Sequence, residues 1–287
     1  MAASTPTQAP TDFDYRLIWR SRYPRPGHHA STMAGAGHEF RARAPLLDAP
    51  DPRRLALRAS LADPFGRLFV NLFNQYSAIP VYALVDDSAS MDFEGVTSKR
   101  ELRHHFLASL AMSAYRTGDP FGLAICGART ERPSFIPATR NAALIEDQLA
   151  HLRDRPPTAP DAAGLRRAAG MIGRHRALVF LVSDFHLPAE LLNGLLGDLA
   201  RHEVVPIVLR DSAEDLARAG NGLVRMRDAE TGRARTLWMR AGLRSRAAQA
   251  ARDHRQWLER LLTGHQRRPF FLEDAVDRDR LNRYFAQ

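Results

Sequence analysis

Short, continuously apolar segments alternate with longer segments of helical periodicity over most of the chain. The apolar segments are 79–85, 121–126, 177–182 and 204–209, and the segments with three- and four-residue apolar spacing are 98–115, 141–152, 161–172 and 188–202. Apolar segments of this length predict strands buried on both faces, and strands that alternate with helices predict βαβ units. We therefore predict an α/β fold with a doubly wound, mainly parallel sheet.

Weaker signals surround this alternating pattern. Residues 130–138 predict a short edge strand or hairpin, and 223–226 and 236–238 predict two strands that flank a turn at 230–232. A long helix over about 245–262, a strand at 270–272 and a terminal helix complete the predicted α/β domain, which covers residues 77–287.

The N-terminal part of the chain lacks the alternation of strands and helices. Ala, Ser, Thr, Pro and Gln dominate its beginning, and this composition predicts a disordered tail over residues 1–17. Residues 18–76 contain several glycines, prolines and aromatic residues, and they predict a small, partly β N-terminal unit.

Composition narrows the class of protein. The longest purely apolar run, 177–182, is far shorter than the ~20 residues of a membrane span, and no secretory signal is visible at the N-terminus. The single cysteine, Cys126, excludes an internal disulfide and predicts a small buried side chain. These features predict a cytoplasmic protein without a membrane span.

The formal net charge of +9 raises the question of nucleic-acid binding. Lys99 is the only lysine among the 41 basic residues. The arginines are spread along the chain among acidic residues, and no basic stripe with interleaved aromatic residues is visible, so the pattern argues against a nucleic-acid partner.

Oxygen-bearing side chains follow two of the predicted strands. Asp86, Ser88 and Ser90 come directly after the first, and Asp184 follows the strand at 177–182. Ligands of open parallel sheets gather beyond the carboxyl ends of the strands, and carboxylate and hydroxyl oxygens suit Mg²⁺, Mn²⁺ or Ca²⁺. The alternative is that these residues cap neighbouring helices and turns.

The segment Asp86-Asp87-Ser88-Ala89-Ser90 resembles the D-x-S-x-S motif of the metal-ion-dependent adhesion site in von Willebrand factor A domains, which have a Rossmann-type sheet. The surrounding chain resembles one bacterial branch of these proteins, the domain-of-unknown-function family 58. The segments that carry this second resemblance are GAGHEF (35–40), DPRRL (51–55), GRLFV (66–70), GDPFGL (118–123), VSDF (182–185), RHEVV (201–205) and DAETG (228–232).

The resemblance implies that Asp86, Ser88, Ser90 and Asp184 are metal ligands. The adhesion site also takes a threonine from a Thr-Asp pair, and the chain has Ala159-Pro160-Asp161 at the matching place, with Thr158 two residues early. Three alternatives follow: Thr158 reaches the metal through an altered loop, Asp161 replaces it, or the site is weakened or empty. A second departure is Ala56-Leu57, where the family usually has Asp-Trp.

The implied function is recognition through a cation whose shell a partner carboxylate completes. Proteins of this branch are similar to partners of MoxR-type AAA+ ATPases, so the resemblance implies a non-enzymatic adaptor between such an ATPase and a client protein that supplies a carboxylate. Some members are similar to accessory proteins of methanol dehydrogenase maturation. No P-loop, H-E-x-x-H or G-x-S-x-G motif is present.

Two other functions remain open from the sequence. A Mg²⁺-dependent phosphohydrolase uses a strand-end Asp followed two residues later by a second acid, but the chain has Ser88 at that position. An RNA-binding module is the other alternative, because some von Willebrand factor A domains lie in ribonucleoproteins.

Overall fold

The structure, a computed structural model, describes residues 9–21, 23, 25–92, 98–126, 134–154, 162, 164–211, 222–227, 234–264 and 268–286. The chain divides into two units. One unit is Leu17–Ile79, and the other joins Met1–Arg16 to Pro80–Gln287. We call the second one the α/β unit.

The Leu17–Ile79 unit is built on one antiparallel strand pair. Strand β1 (Pro26–Pro45) pairs with β2 (Phe69–Ser77), with several register shifts along the pair. A 3₁₀ turn (Pro52–Arg54) and the short helix α1 (Leu57–Leu61) connect the two strands. Gly27 in β1 lies so close to the backbone of Ala78 that a Cβ atom would be 2.2 Å from its nitrogen, so only glycine fits there.

The α/β unit contains eight strands and six helices among its described residues. In chain order they are β3 (Val81–Val85), α2 (Lys99–Arg116), β4 (Phe121–Ile125), β5 (Ser134–Thr139), α3 (Ala142–Asp154), α4 (Leu165–Gly170), β6 (Leu178–Ser183), α5 (Ala189–Asp198), β7 (Glu203–Arg210), β8 (Gly222–Arg227), β9 (Ala234–Met239), α6 (Ala241–Thr263), β10 (Phe270–Glu273) and α7 (Arg278–Ala286). Strands β8 and β9 form a separate antiparallel pair.

Six of these strands form one mixed sheet, in the order β10-β7-β6-β3-β4-β5. Every neighbouring pair is parallel except β4 and β5, which are antiparallel. From β3 the chain proceeds to β4 and β5 on one side and then crosses to β6 on the other side of β3. The strand order therefore changes direction between β3 and β6, where open α/β sheets bind ligands beyond the strand ends.

Helices flank both faces of this sheet. Successive residues of a strand point to opposite faces, so neighbouring strand residues contact different helices. On one face, Leu84 of β3 and Leu181 of β6 belong to an apolar cluster with residues of α4, α5 and α6. On the other face, Phe180 of β6 contacts Phe106 of α2 and Phe285 of α7. The central strands β3, β4 and β6 are buried at every position, and this confirms the predicted α/β class.

The N-terminal segment differs from its prediction as a disordered tail over 1–17. Phe13 is fully buried and stacks on Phe285, and the Tyr15 hydroxyl donates a 2.5 Å hydrogen bond to Asp119. The prediction missed this because two aromatic residues in a polar segment supply a core contact without any periodic pattern. Residues 1–8 lie outside the described part of the chain.

Most predicted elements lie close to their expected positions, but α4 is shorter than the predicted helix at 161–172. The predicted turn at 230–232 lies outside the described residues. Among the helices that the structure describes, none combines the length and the apolar character that a membrane crossing requires.

Candidate functional site

Asp86 lies directly after β3, and its side chain is completely buried. One carboxylate oxygen, Oδ1, accepts a hydrogen bond from the backbone N–H of Ser88 at 2.9 Å. The other, Oδ2, accepts a hydrogen bond from the Ser183 hydroxyl at 2.7 Å. Because Ser183 is the last residue of β6, this bond joins the ends of the two central strands.

The D-x-S-x-S segment turns sharply after Asp86. The hydroxyls of Ser88 and Ser90 lie 3.1 Å apart, and a 3₁₀ turn, Ala89–Asp92, follows. Ser88 is buried and Ser90 is half-buried. The turn therefore directs both hydroxyls to one place near the strand ends.

Asp184 follows β6 and is also buried. Its Oδ1 accepts a hydrogen bond from the backbone N–H of His186 at 3.2 Å, and its Oδ2 accepts one from the Lys99 ammonium at 3.1 Å. Lys99 is the first residue of α2, and its side chain has no exposed surface. The same ammonium donates to the backbone carbonyl of Ser90 at 3.4 Å, so it connects the segment after β3 with the segment after β6.

A second buried ion pair lies beside the first. Arg103, one helical turn after Lys99, donates to Asp87 Oδ1 at 2.9 Å and to the backbone carbonyl of Asp86 at 3.1 Å. Its other terminal nitrogen donates to the carbonyl of Leu152 at 3.3 Å, near the end of α3. Residues four apart on a helix project from the same face, so α2 supplies both cations of the site.

The chain bends at once after Asp184. Phe185 is a buried residue with φ of 57°, a left-handed conformation that costs a non-glycine residue about 1 kcal/mol or more. Its backbone N–H donates a hydrogen bond to the Ser183 hydroxyl oxygen at 2.9 Å. The next ring, His186, stacks on His254 of α6 with centroids 5.2 Å apart, so α6 packs against the end of β6.

The charges in this cluster shift one another's ionisation. Burial, together with the nearby negative charge of Asp184, raises the pKa of Asp86 to about 6. Burial also opposes ionisation of Asp184, but the Lys99 ammonium and His186 outweigh it and hold the pKa of Asp184 below its ordinary value. For Arg103, burial lowers the pKa although the Asp87 carboxylate acts in the opposite direction.

The structure brings together four of the six residues predicted as metal ligands: Asp86, Ser88, Ser90 and Asp184. The other two, Thr158 and Asp161, lie outside the described residues. For all six residues, the role of metal ligand stays a prediction.

Sequence reasoning missed three residues that hold the site together: Lys99, Arg103 and Ser183. The sequence contained a signal for Lys99, since it is the only lysine of the chain. Its spacing of four from Arg103 on an expected helix placed two cations on one face.

The arrangement does not fit a divalent cation while Lys99 is in this position. Its ammonium already bridges Asp184 and the Ser90 carbonyl, and an added cation there would face an adjacent like charge in a buried place. The carboxylate oxygens of Asp86 and Asp184 also accept hydrogen bonds from the chain itself. Within the described ranges, no group of three or more His, Cys, Asp or Glu residues is arranged to hold a metal ion.

The family of the chain is shown by a profile match. A family described as "Protein of unknown function DUF58" matches residues 64–257, which is more than half of the chain. The protein is therefore a member of the DUF58 family.

Three relatives, each described as an uncharacterised protein, are similar to this chain. The chain is 39% identical over 92 residues to an "Uncharacterized protein in moxR 3'region" of Paracoccus denitrificans, which covers 32% of this chain and 88% of that protein. It is 28% identical over 249 residues to the uncharacterised proteins Rv1480 of Mycobacterium tuberculosis and Mb1516 of Mycobacterium bovis, covering 83% of this chain and 75% of each relative.

Two solved structures show weak similarity. One is the conserved hypothetical protein BatB from Bacteroides thetaiotaomicron, with a TM-score of 0.39, 12% identity and coverage of 73% of this chain and 98% of that one. The other is an aerotolerance-related membrane protein from Bacteroides fragilis, with a TM-score of 0.38, 10% identity and coverage of 73% and 99%.

Proposed function

We propose that the protein is a non-enzymatic, cytoplasmic adaptor that binds a MoxR-type AAA+ ATPase and helps it to assemble or activate a client protein complex. The observation that carries this proposal is the relative from Paracoccus denitrificans, which is named for its position in a moxR 3' region. Membership of the DUF58 family over residues 64–257 agrees with it. Maturation of an oxidoreductase such as methanol dehydrogenase is one client process that fits the proposal.

Strand order and site position support a von Willebrand factor A-like fold for the α/β unit. The D-x-S-x-S segment and Asp184 lie at the ends of β3 and β6, where the strand order changes direction. In an adhesion-type site this is the place where a partner docks. We therefore place the partner-binding surface at this edge of the sheet.

The chemistry of the site supports binding over turnover. A phosphohydrolase needs a carboxylate that is free to attack phosphorus and a second acid to protonate the leaving group. Both oxygens of Asp86 accept hydrogen bonds from the chain, and the residue two positions later is Ser88. The buried pairs made by Lys99 and Arg103 fix the segments around it, as a preformed docking surface requires.

Among the described residues, an ion pair lies at the accessible rim of this site. Arg100 on α2 pairs with Asp92 at the end of the 3₁₀ turn, and their side chains keep 23% and 37% of their exposure. Ser90 beside them is half-buried. An arginine at the rim of a rigid site is suited to contact a carboxylate of a partner.

The test is direct binding of the purified chain to the MoxR-type ATPase of the same genome, measured by biolayer interferometry with ATP, with ADP and without nucleotide. We expect binding in at least one nucleotide state, and Arg100→Glu to weaken it by about tenfold or more, since charge reversal at an interface introduces repulsion.

The matched control is Arg166→Glu. Arg166 forms an exposed ion pair with Asp198, and its helix, α4, packs on the opposite face of the sheet from α2. Binding that is unchanged in Arg166→Glu but weakened in Arg100→Glu supports the proposed surface. Absence of binding in all three nucleotide states contradicts the adaptor function.

A further inference from the structure

We infer that the ammonium of Lys99 takes the place of a metal ion at the D-x-S-x-S site, so that the site is held together without a divalent cation. This inference concerns the cation itself and stands apart from the identity of the partner. Because the site then needs no divalent cation, we expect the protein to bind its partner equally well with and without a chelator.

The contacts of Lys99 are those that a bridging cation would make. Its ammonium lies 3.1 Å from Asp184 Oδ2 and 3.4 Å from the Ser90 carbonyl oxygen, and these belong to the segments after β6 and β3. An ammonium is a compact point charge with three donors, so it can satisfy oxygens from several directions. Its complete burial keeps it from exchanging those oxygens for water.

Charge balance gives the second line of support. Among the residues that the structure describes, the buried cluster contains three carboxylates, Asp86, Asp87 and Asp184, and two basic side chains, Lys99 and Arg103. These five groups carry a net charge of one negative unit when ionised, and a divalent cation added to them would turn that negative excess into a positive one. If Lys99 were absent, the same divalent cation would balance the three carboxylates together with Arg103.

The position of Lys99 on α2 fixes its ammonium in the place of the metal ion. Lys99 begins α2, and Arg103 anchors the next turn of that helix to Asp87 and to the Leu152 carbonyl. Withdrawal of the ammonium would leave Asp184 as a buried carboxylate without its ion-pair partner, and such a change is costly.

The experiment is titration of Mn²⁺ into the full chain by calorimetry, with wild type, Lys99→Ala and the double variant Lys99→Ala with Asp184→Asn. We expect no saturable binding by wild type at millimolar Mn²⁺. Lys99→Ala is expected to bind Mn²⁺ at least about tenfold more tightly than wild type does. The double variant is expected to lose that gain in affinity. Arg166→Ala is the matched control, because it removes a basic residue elsewhere, and it should behave as wild type.

A melting curve with and without Mn²⁺ accompanies each titration, because a ligand of the folded state raises the melting temperature. If Lys99→Ala does not fold alone, Lys99→Gln removes the charge and keeps a hydrogen-bond donor, and the same gain is expected there. Wild-type binding as tight as that of the variants overturns the inference. Failure of every folded Lys99 variant to bind Mn²⁺ overturns it as well.

Discussion

At the scale of single residues, the site owes its order to ion pairs that are removed from water. The Arg103–Asp87 pair has side chains 2% and 1% exposed, whereas the Arg166–Asp198 pair keeps 51% and 34%. Water screens the second pair, so it contributes little to stability. The first pair is different, because both of its charges are buried and loss of one of them removes a strong attraction that water cannot replace.

We predict that Arg103→Met lowers the free energy of unfolding by about 3–5 kcal/mol, since it removes the buried ion pair with Asp87 and the hydrogen bonds to the carbonyls of Asp86 and Leu152. Urea denaturation followed by circular dichroism measures the loss. Arg166→Met serves as the control and should lose much less stability than Arg103→Met, because its ion pair is exposed to water.

A double variant separates the charge effect from simple packing. Arg103→Met combined with Asp87→Leu removes both charges, and it is expected to recover a substantial part of the stability lost in the single variant. If the stability lost by the double variant equals the sum of the losses in Arg103→Met and in Asp87→Leu, the two residues are not coupled and the explanation is wrong.

The sequence allowed the carboxylates and hydroxyls of the site to be predicted, but not the cations that hold them. Asp86, Ser88 and Ser90 form a local motif, and their spacing alone indicates convergence. Lys99 and its partner Asp184 lie 85 residues apart, and their pairing depends on how α2 is laid across the sheet. No local pattern carries that information.

At the scale of helices and strands, the central strands were predictable because burial on both faces leaves a continuous apolar run. Strand β6, for example, is buried at all six positions. The packing of Phe13 was not predictable, because a single aromatic residue outside any regular element has no periodicity. The buried contact of His202 was missed for another reason, because the predicted helix at 188–202 extended beyond the end of α5 at Asp198.

His202 connects the turn after α5 with the start of β6. Its ring Nδ1 accepts a hydrogen bond from the Ala177 N–H at 3.2 Å, and the ring is buried. Burial, followed by the charges of Arg201 and Arg176, lowers the pKa of His202 from 6.5 to about 4. The folded protein therefore needs this imidazole in its neutral form.

We predict that this histidine makes the protein less stable in mild acid. Between about pH 6.5 and pH 4 the unfolded chain binds a proton that the folded chain does not bind, so stability falls as the pH falls through this window. Allowing for partial solvent screening, the loss is about 2 kcal/mol.

The measurement compares urea denaturation at pH 7 and pH 4.5 for wild type and His202→Asn. The asparagine oxygen can accept the same N–H but does not titrate. The decrease in stability between the two pH values should be smaller in His202→Asn by most of that amount. Equal decreases in both proteins would contradict a role for this side chain.

At the scale of the whole molecule, the +9 charge is distributed, not concentrated. Many arginines pair with nearby acids, as in Arg67–Asp63, Arg166–Asp198 and Arg255–Glu259. Pairing of this kind lowers the local positive potential that would attract a phosphate backbone.

We therefore predict only weak, nonspecific binding to RNA. The dissociation constant for a short single-stranded RNA at physiological salt should be no tighter than the ~10⁻⁴–10⁻⁶ M typical of nonspecific binding. Fluorescence anisotropy measures it, with a DNA strand of the same sequence as the control. Nanomolar binding that falls steeply with added salt and prefers RNA would support an RNA-binding module instead.

The α/β unit is assembled from two stretches of chain that enclose the whole of the Leu17–Ile79 unit in sequence. Phe13 from the first stretch stacks on Phe285 from the last helix, and the Asp14 N–H donates to Asn282 in the same helix. During synthesis, the segment that contains Phe13 and Asp14 must therefore wait until α7 has left the ribosome. The enclosed unit is continuous and can fold in the meantime. The segment around Phe13 and helix α7 thus share one late folding event, and a change in either of them acts on the same core.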